Sequence, residues 1–204
     1  MGAVRITGGA VSGVLILNGG GMFRGKGLGL LPALVLAVCL SAPQNVRADS
    51  KEMISDHTQR ALKWMYGSSR HAARQLKRAA GVLVFGDLVK MGFGLGGEFG
   101  EGALIVDGEI VEFYALAGKD YGVPEDAGFK AKAIVFRSEK ALRTFRDSPS
   151  WKVGRNAVVP VVTSLDKPGK VLRSSDPIIG FVFTDTGLVP GMSLDGNKIT
   201  RIAR

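Results

Sequence analysis

The chain has 204 residues, 46% of them hydrophobic, and carries 27 basic against 18 acidic side chains, a net charge of +9. This length fits one domain with a substantial core, and the 29 glycines follow no three-residue period, which excludes a collagen-like protein. The single cysteine, Cys39, excludes a disulfide framework and a cysteine-based metal site within the chain.

The segment that begins at Met22 has the three parts of a secretory signal peptide. Arg24 and Lys26 give it a positively charged start, and residues 28–40 form an apolar stretch too short to span a bilayer comfortably. Val46-Arg47-Ala48 then places small residues at the two positions that a signal peptidase recognises. We therefore predict cleavage after Ala48.

This prediction divides the chain into three parts. Residues 1–21 are interpreted as an over-extended start, residues 22–48 as the signal peptide, and residues 49–204 as a single mature domain. Lipidation of Cys39 is the less favoured alternative, because Val38 is branched where a lipobox requires a small residue. Four basic and no acidic residues precede position 49, so the mature chain has 23 basic and 18 acidic residues, or +5. This excess is too small for a nucleic-acid binder.

Two helices are predicted at the start of the mature chain. The first spans 51–66 and the second about 70–80, separated by a Gly-Ser-Ser break. The apolar stripe of the first helix consists of Ile54, Ala61, Leu62 and Met65, with Trp64 off its centre.

The second helix carries a basic face formed by Arg70, Arg74, Lys77 and Arg78 at positions i, i+4, i+7 and i+8. The ordinary interpretation, and the one that base rates favour, is a solvated helix face. The sharper hypothesis is binding to anionic headgroups, in which each basic residue contributes about 1 kcal/mol. Lys90 is a further candidate for such a patch.

Glycine dominates the next stretch. A short strand is predicted at 82–85, followed by a turn or the start of a strand at 87–90. Glycine then alternates with Phe93 and Leu95 over 92–96, so one face of a strand there would carry only hydrogens and let a backbone or a ring approach closely. Asp107-Gly108 predicts a tight hairpin between strands 104–106 and 109–114.

The second half reads as short strands with one helix. Ser138 is predicted to cap a helix that ends near Arg146, and Pro160 would place its strand at an edge or a bulge. Loops are predicted at 118–128 and 166–176, and strands at 129–136, 158–162, 178–183, 188–194 and 198–202. The predicted class is α+β: N-terminal helices packed on a mostly antiparallel, glycine-rich sheet or partly closed barrel, with one further helix between strands.

No catalytic or cofactor constellation emerges. Gly92, Gly94 and Gly97 spell GxGxxG, but a hairpin follows where a dinucleotide site needs a helix. His57 and His71 lack a second ligand at metal spacing. Glu98 and Glu101 would face opposite sides of a strand, so a solvated or turn role is expected in place of acid–base chemistry.

A series of ordered motifs resembles the SYLF domain family, which includes eukaryotic actin-patch regulators and exported bacterial proteins. The resemblance covers roughly residues 61–202. The motifs that carry it are Ala79–Phe85, Lys90–Gly102, Ala133–Phe136, Ala141–Phe145, Trp151–Gly154, Ile179–Phe183, Gly187-Leu188 and Ser193–Ile199.

This resemblance implies a domain that binds acidic lipids such as phosphoinositides, with no cofactor and no enzymatic activity. Two features depart from the family pattern: Gly86 stands where many relatives have proline, and the 118–128 connector is charged. The charged connector puts in doubt any pocket edge formed there. The actin binding of eukaryotic members is not transferred to a chain with an export signal.

We therefore expect an exported, non-enzymatic protein of the periplasm or cell envelope that binds an anionic phospholipid or a membrane surface. The basic face and Lys90 would meet headgroups. The alternative is a module that binds another envelope protein or a polysaccharide, with no dedicated lipid ligand. The apolar residues expected to contact acyl chains are Trp64, Phe93, Leu95 and Phe99.

Overall fold

The computed structural model describes residues 49–68, 70–91, 96–119, 128–163, 175–189 and 191–204. Within these residues the chain has the α+β architecture predicted from its sequence, with three helices and a mostly antiparallel sheet of eight strands. The sheet is open, so the sheet form of the prediction is confirmed and the partly closed barrel is not formed.

The strand order in the sheet is β5-β8-β3-β2-β1-β4-β6-β7, and the long strands β1, β2 and β3 lie next to one another. In chain order the elements are α1 (Lys51–Ser68), α2 (Arg70–Lys77), β1 (Gly81–Met91), β2 (Gly97–Val106), β3 (Glu109–Lys119), β4 (Lys130–Phe136), α3 (Glu139–Arg146), β5 (Ser150–Lys152), β6 (Ile178–Thr184), β7 (Gly187–Leu188) and β8 (Lys198–Ile202).

Helix α1 begins after Ser50, whose Oγ accepts a hydrogen bond of 3.2 Å from the backbone N–H of Met53 and satisfies an otherwise free donor of the first turn. The helix then crosses the sheet. Ile54 packs near β2 and β3, while Met65 lies in the cluster with β4 and β6. Its buried side consists of Ile54, Thr58, Ala61 and Met65 at helical spacing.

The backbone of α1 lies directly on β1 at Gly86. A Cβ atom on Gly86 would lie 2.2 Å from the carbonyl oxygen of His57 and 2.9 Å from the amide nitrogen of Thr58. The register of β1 shifts between Phe85 and Asp87, which marks a bulge at this point. Because the bulge absorbs one residue, pairing resumes beyond it, and 87–90 continues β1 as a strand.

The sheet separates two apolar layers. On one side, Val82 and Val84 face α1 and α2. On the other side, Leu83 and Phe85 join a second cluster that includes α3 and β5. Aromatic rings in that second cluster pack at centroid distances of 4.8 to 5.4 Å, in the range of favourable ring pairs. These rings belong to Tyr114, Phe136, Phe145 and Trp151.

Two glycines of β2 allow side chains of β1 to pack closely against the strand. A Cβ atom on Gly100 would lie 2.6 Å from Leu88 Cδ2, and one on Gly102 would lie 2.7 Å from Phe85 Cδ1. Side chains of β1 therefore fill the space that a larger residue would need at Gly100 and Gly102, whereas the bare strand face predicted over 92–96 is not tested. Phe93 and Leu95, on which the prediction was based, lie outside the described residues.

Two local predictions are confirmed in detail. Asp107 and Gly108 both have positive φ, 52° and 86°, as a two-residue hairpin of type I′ requires. Ser138 caps α3, and its Oγ accepts a hydrogen bond of 3.3 Å from the backbone N–H of Ala141.

Other boundaries differ from the prediction for reasons visible in the hydrogen bonds. Helix α2 ends at Lys77, because the N–H of Ala80 donates to the carbonyl of Phe136 on β4 instead of to the helix. The predicted strand at 158–162 forms only a single bridge, Val161 with Gly180. Pro160 lies in this segment and has no N–H with which to continue a ladder.

Strand lengths also differ. Gly118 and Lys119, expected in a loop, extend β3 because they pair with Glu98 and Gly97. The strand predicted at 188–194 is reduced to β7, and Gly191 adopts a φ of +74°. The short strand β5 was not predicted; it pairs with β8 and buries Trp151.

Replacing Gly86 with alanine is expected to destabilise the domain by about 1 to 3 kcal/mol or more, because the new methyl group must displace helix backbone rather than a flexible side chain. Chemical denaturation of the mature chain measures the change in the free energy of unfolding. Gly67→Ala is the matched control, since a Cβ atom at Gly67 meets nothing within 4 Å. Equal free energies of unfolding for the two variants would contradict the proposed role of Gly86.

Candidate functional site

The two N-terminal helices and the turn after them carry a group of basic residues with no acidic residue between them in the sequence. Between Asp56 and Asp87 the chain has six basic and no acidic residues. This leaves 17 basic and 18 acidic residues in the rest of the mature chain, so its net positive charge comes from this segment alone. All six basic residues are exposed: Arg60, Lys63, Arg70, Arg74, Lys77 and Arg78.

The basic face predicted on the second helix is present on the surface. Ala72 and Leu76 are the buried residues of α2, at 0% and 4% exposure, and anchor it against the domain. Arg70, Arg74 and Lys77 therefore project into solvent. The fourth predicted residue, Arg78, is exposed in the turn that follows α2. We call these four residues the α2 basic face.

Trp64 lies near the end of α1, next to two of the basic residues. Its ring stacks on Phe183 with a centroid distance of 5.0 Å and an interplanar angle of 9°, and it makes an edge contact with Phe129. Because Phe183 covers one ring face, only part of the indole remains accessible.

The accessible part of Trp64 lines an open surface hollow of about 680 Å³, which we call the α1 hollow. Sequence reasoning missed this feature, because its two walls are more than 100 residues apart in the chain. The hollow is lined by Arg60, Lys63, Trp64, Gly67 and Ser68 of α1 and by Thr186 and Gly187 of the β6–β7 turn.

Lys90 and Phe99 lie at the other end of the sheet. Lys90 is exposed, and the partly buried Phe99 pairs in register with the exposed Val89. Lys77, in contrast, lines a hollow together with Val82 near the start of β1. Eight residues at about 3.3 Å each separate Val82 from Lys90, a distance of about 25 Å. The structure therefore does not place Lys90 or Phe99 with the α2 basic face.

Glu98 is buried, with 6% exposure, and forms an ion pair with Lys132, which is fully buried on β4. The prediction of a solvated or turn role for Glu98 is therefore wrong. Burial lowers the pKa of Lys132 to about 8, so the amine is largely protonated near pH 7. Lys132 and Glu98 therefore form a buried charge pair. Burying both charges costs desolvation free energy, and the loss of either partner would leave the other charge uncompensated.

Glu101 is also buried, with 9% exposure, and pairs with Arg204 instead, so the predicted solvated or turn role is wrong for Glu101 as well. Its Oε2 atom has no hydrogen-bond partner among the described residues. Because side chains alternate along β2, Glu98 and Glu101 point to opposite faces, as predicted from their spacing. The two carboxylates bind different cations and do not converge on a shared site.

Glu112 connects three elements of the domain. It accepts hydrogen bonds from Tyr114 on β3 and from Arg146 of α3, whose Nε and Nη2 lie 3.3 and 3.1 Å away, and Arg201 of β8 lies at 3.7 Å. Burial opposes ionisation, but these hydrogen bonds and positive charges lower the pKa of Glu112. Burial and the bond to Glu112 raise the pKa of Tyr114 to about 12. This cluster therefore holds the ends of α3 and β8 on β3.

The described residues contain no group of three or more His, Cys, Asp or Glu side chains arranged to hold a metal ion. His57 Nδ1 lies 3.8 Å from Asp87 Oδ2, beside the Gly86 contact. The side chain of His71 lies outside the described part of the chain. The third glycine of the GxGxxG pattern, Gly97, begins strand β2 and not a helix.

None of the helices in the described segments is long and apolar enough to cross a membrane. No protein-family model matches the chain, and a search of curated proteins also finds no match. The resemblance to the SYLF family, which was drawn from the ordered motifs of the sequence, therefore stays a prediction.

Removing one partner of the buried pair is expected to cost about 3 to 5 kcal/mol of stability, because the other charge remains buried without compensation. Lys132→Met and Glu98→Leu are the single variants. The double variant should recover most of the loss, since an apolar pair avoids the desolvation of both ions. Urea denaturation at pH 7 of the wild type, the two single variants and the double variant gives the four free energies of unfolding that this double-mutant cycle needs.

Lys140→Met, at an exposed position of α3, is the control and should change the free energy of unfolding by less than about 0.5 kcal/mol. Additive losses in the double variant would show that Lys132 and Glu98 are not energetically coupled.

Proposed function

We propose that the mature chain, residues 49–204, is an exported protein of the periplasm or cell envelope that binds anionic phospholipid headgroups without catalysing a reaction. One observation carries this proposal: six exposed basic residues on α1, α2 and the turn after them, in a segment without any acidic side chain. The SYLF-like motifs and the predicted signal peptide support the same function and location.

The α2 basic face supplies the main attraction. Because Ala72 and Leu76 anchor the opposite side of the helix, its basic side chains point outward. The segment between Asp56 and Asp87 has no acidic residue with which they could form ion pairs. Each basic residue near an anionic membrane surface contributes about 1 kcal/mol. Exposed charges are screened within about 10 Å at 0.1 M salt, so this attraction weakens as salt rises.

Of the two predicted apolar residues in the described part of the chain, Trp64 and Phe99, only Trp64 supports the apolar part of the proposal. Trp64 lies beside the basic residues of α1, while Phe99 lies with Val89 at the distant end of β1 and β2. Headgroup binding therefore takes place on the helical layer. A contact of Phe99 with acyl chains would be a separate and secondary one.

Changing all four residues of the α2 basic face to Glu is expected to weaken binding to anionic vesicles by at least 100-fold, since roughly 4 kcal/mol of attraction is removed. The salt dependence of binding should also fall. Vesicle co-sedimentation at two salt concentrations, with zwitterionic vesicles as the lipid control, measures both effects.

The matched control changes four exposed basic residues elsewhere to Glu and alters the net charge by the same amount: Lys140, Arg143, Lys152 and Lys198. This variant should retain most of its binding. If the two variants bind equally, the α2 basic face is not the binding surface and only net charge matters.

A further inference from the structure

The α1 hollow combines features that the α2 basic face lacks. It is concave, it has a partly buried aromatic wall, and its two sides come from separate elements of the fold. Trp64 is fixed in position by its stack on Phe183. Concave sites with a few convergent polar groups are the usual form of small-ligand sites.

The charges at the hollow favour an anion. Arg60 and Lys63 line it, and none of its lining residues is acidic. Asp56 lies one turn before Arg60, with Arg60 Nη2 at 3.8 Å from Asp56 Oδ2. Both side chains of this pair are largely exposed, at 62% and 80%, so the pair is weak and Arg60 can turn to a ligand at small cost.

Hydroxyl groups add a second type of contact. The Oγ1 atoms of Thr184 and Thr186 lie 2.8 Å apart and either can be the donor, so Thr186 can donate to a ligand when Thr184 donates to it. Ser68 Oγ donates to the carbonyl of Trp64 at 2.7 Å and can accept from a ligand hydroxyl. Cations together with hydroxyl donors are the groups that bind phosphate oxygens.

We propose that the α1 hollow is the binding site for the phosphate of an anionic phospholipid headgroup. This inference rests on the proposed function and assigns it a defined site. The α2 basic face attracts any anionic surface over a distance, whereas the hollow recognises the headgroup by direct contacts with Arg60, Lys63 and Thr186.

Gly67 allows the hollow to be filled without a change of charge. A Cβ atom at Gly67 meets no atom within 4 Å, and the residue lies in α1, so larger helix-forming side chains fit without strain. Gly67→Gln places a long neutral side chain in the hollow. Gly67→Ala is the control for the change in helix propensity.

We expect Gly67→Gln to weaken binding to vesicles of phosphatidylglycerol and phosphatidylcholine about fivefold or more relative to Gly67→Ala, with the same dependence on salt. Lys63→Gln should weaken binding about fivefold. Equal binding by Gly67→Gln and Gly67→Ala would overturn the site, whatever the α2 variant does. If the α2 variant keeps full binding while Gly67→Gln loses it, the result supports the hollow as the headgroup site and rejects the α2 basic face as the binding surface.

The two tryptophans allow direct observation of the site. Trp64 lines the hollow, while Trp151 is buried at 2% exposure in the opposite layer and serves as an internal reference. Short-chain phosphatidylglycerol, below its micelle concentration, is expected to shift the indole N–H resonance of Trp64 but not that of Trp151. Gly67→Gln should abolish this shift.

Glycerol 3-phosphate separates the two possible sources of the phosphate. A shift of Trp64 with glycerol 3-phosphate would show that the free ester also binds, and a shift only with the lipid would show that the diacyl headgroup is required. Both results support a phosphate site. The absence of a Trp64 shift with either probe would refute it.

Discussion

The contact between the backbone of α1 and Gly86 determines where the helical layer lies. With a carbonyl oxygen 2.2 Å from the position of a Cβ atom, no other residue type fits without moving the helix. Thr58, next to this contact, is fully buried and donates to the carbonyl of Val84 at 3.5 Å. Because the helix is held at its middle, the two ends fall over different strands, and the C-terminal end brings Trp64 onto Phe183. The hollow beside Trp64 is a consequence of this placement.

The face of the sheet opposite α1 and α2 carries two sets of structural polar contacts, while the buried Glu101–Arg204 pair lies on the other face. The Lys132–Glu98 pair joins β4 to β2, and the bonds of Glu112 with Arg146 and Arg201 join β3 to α3 and β8, elements that are distant in sequence. Buried charge pairs of this kind contribute little net stability, but they penalise any arrangement that separates the partners. We therefore interpret them as fixing the positions of β4, α3 and β8, and assign ligand binding to the helical side.

Local patterns made much of the fold predictable. The Asp107-Gly108 turn, the Ser138 cap and the helical spacing of Ile54, Ala61 and Met65 each depend on residues close in sequence. What could not be predicted depends on contacts between distant segments: the helix backbone that needs Gly86, the Lys132 partner of Glu98, and the β6–β7 wall of the hollow. The four residues of the α2 basic face were found from spacing alone, whereas Arg60 and Lys63 were not singled out, and the separation of Lys90 from the basic face required the register of β1.

The distribution of charge connects the fold to the proposed function. The segment between Asp56 and Asp87 has a charge of +6, while the remaining mature chain, with 17 basic and 18 acidic residues, is close to neutral. Because the six basic residues lie on α1, α2 and the turn that follows α2, the excess positive charge is concentrated on one part of the molecule. An anionic surface would orient it with the helical layer forward before any contact forms. The same layer contains the α1 hollow, so in the proposed function this long-range orientation would bring a headgroup to the hollow and not to the distant end of β1 and β2.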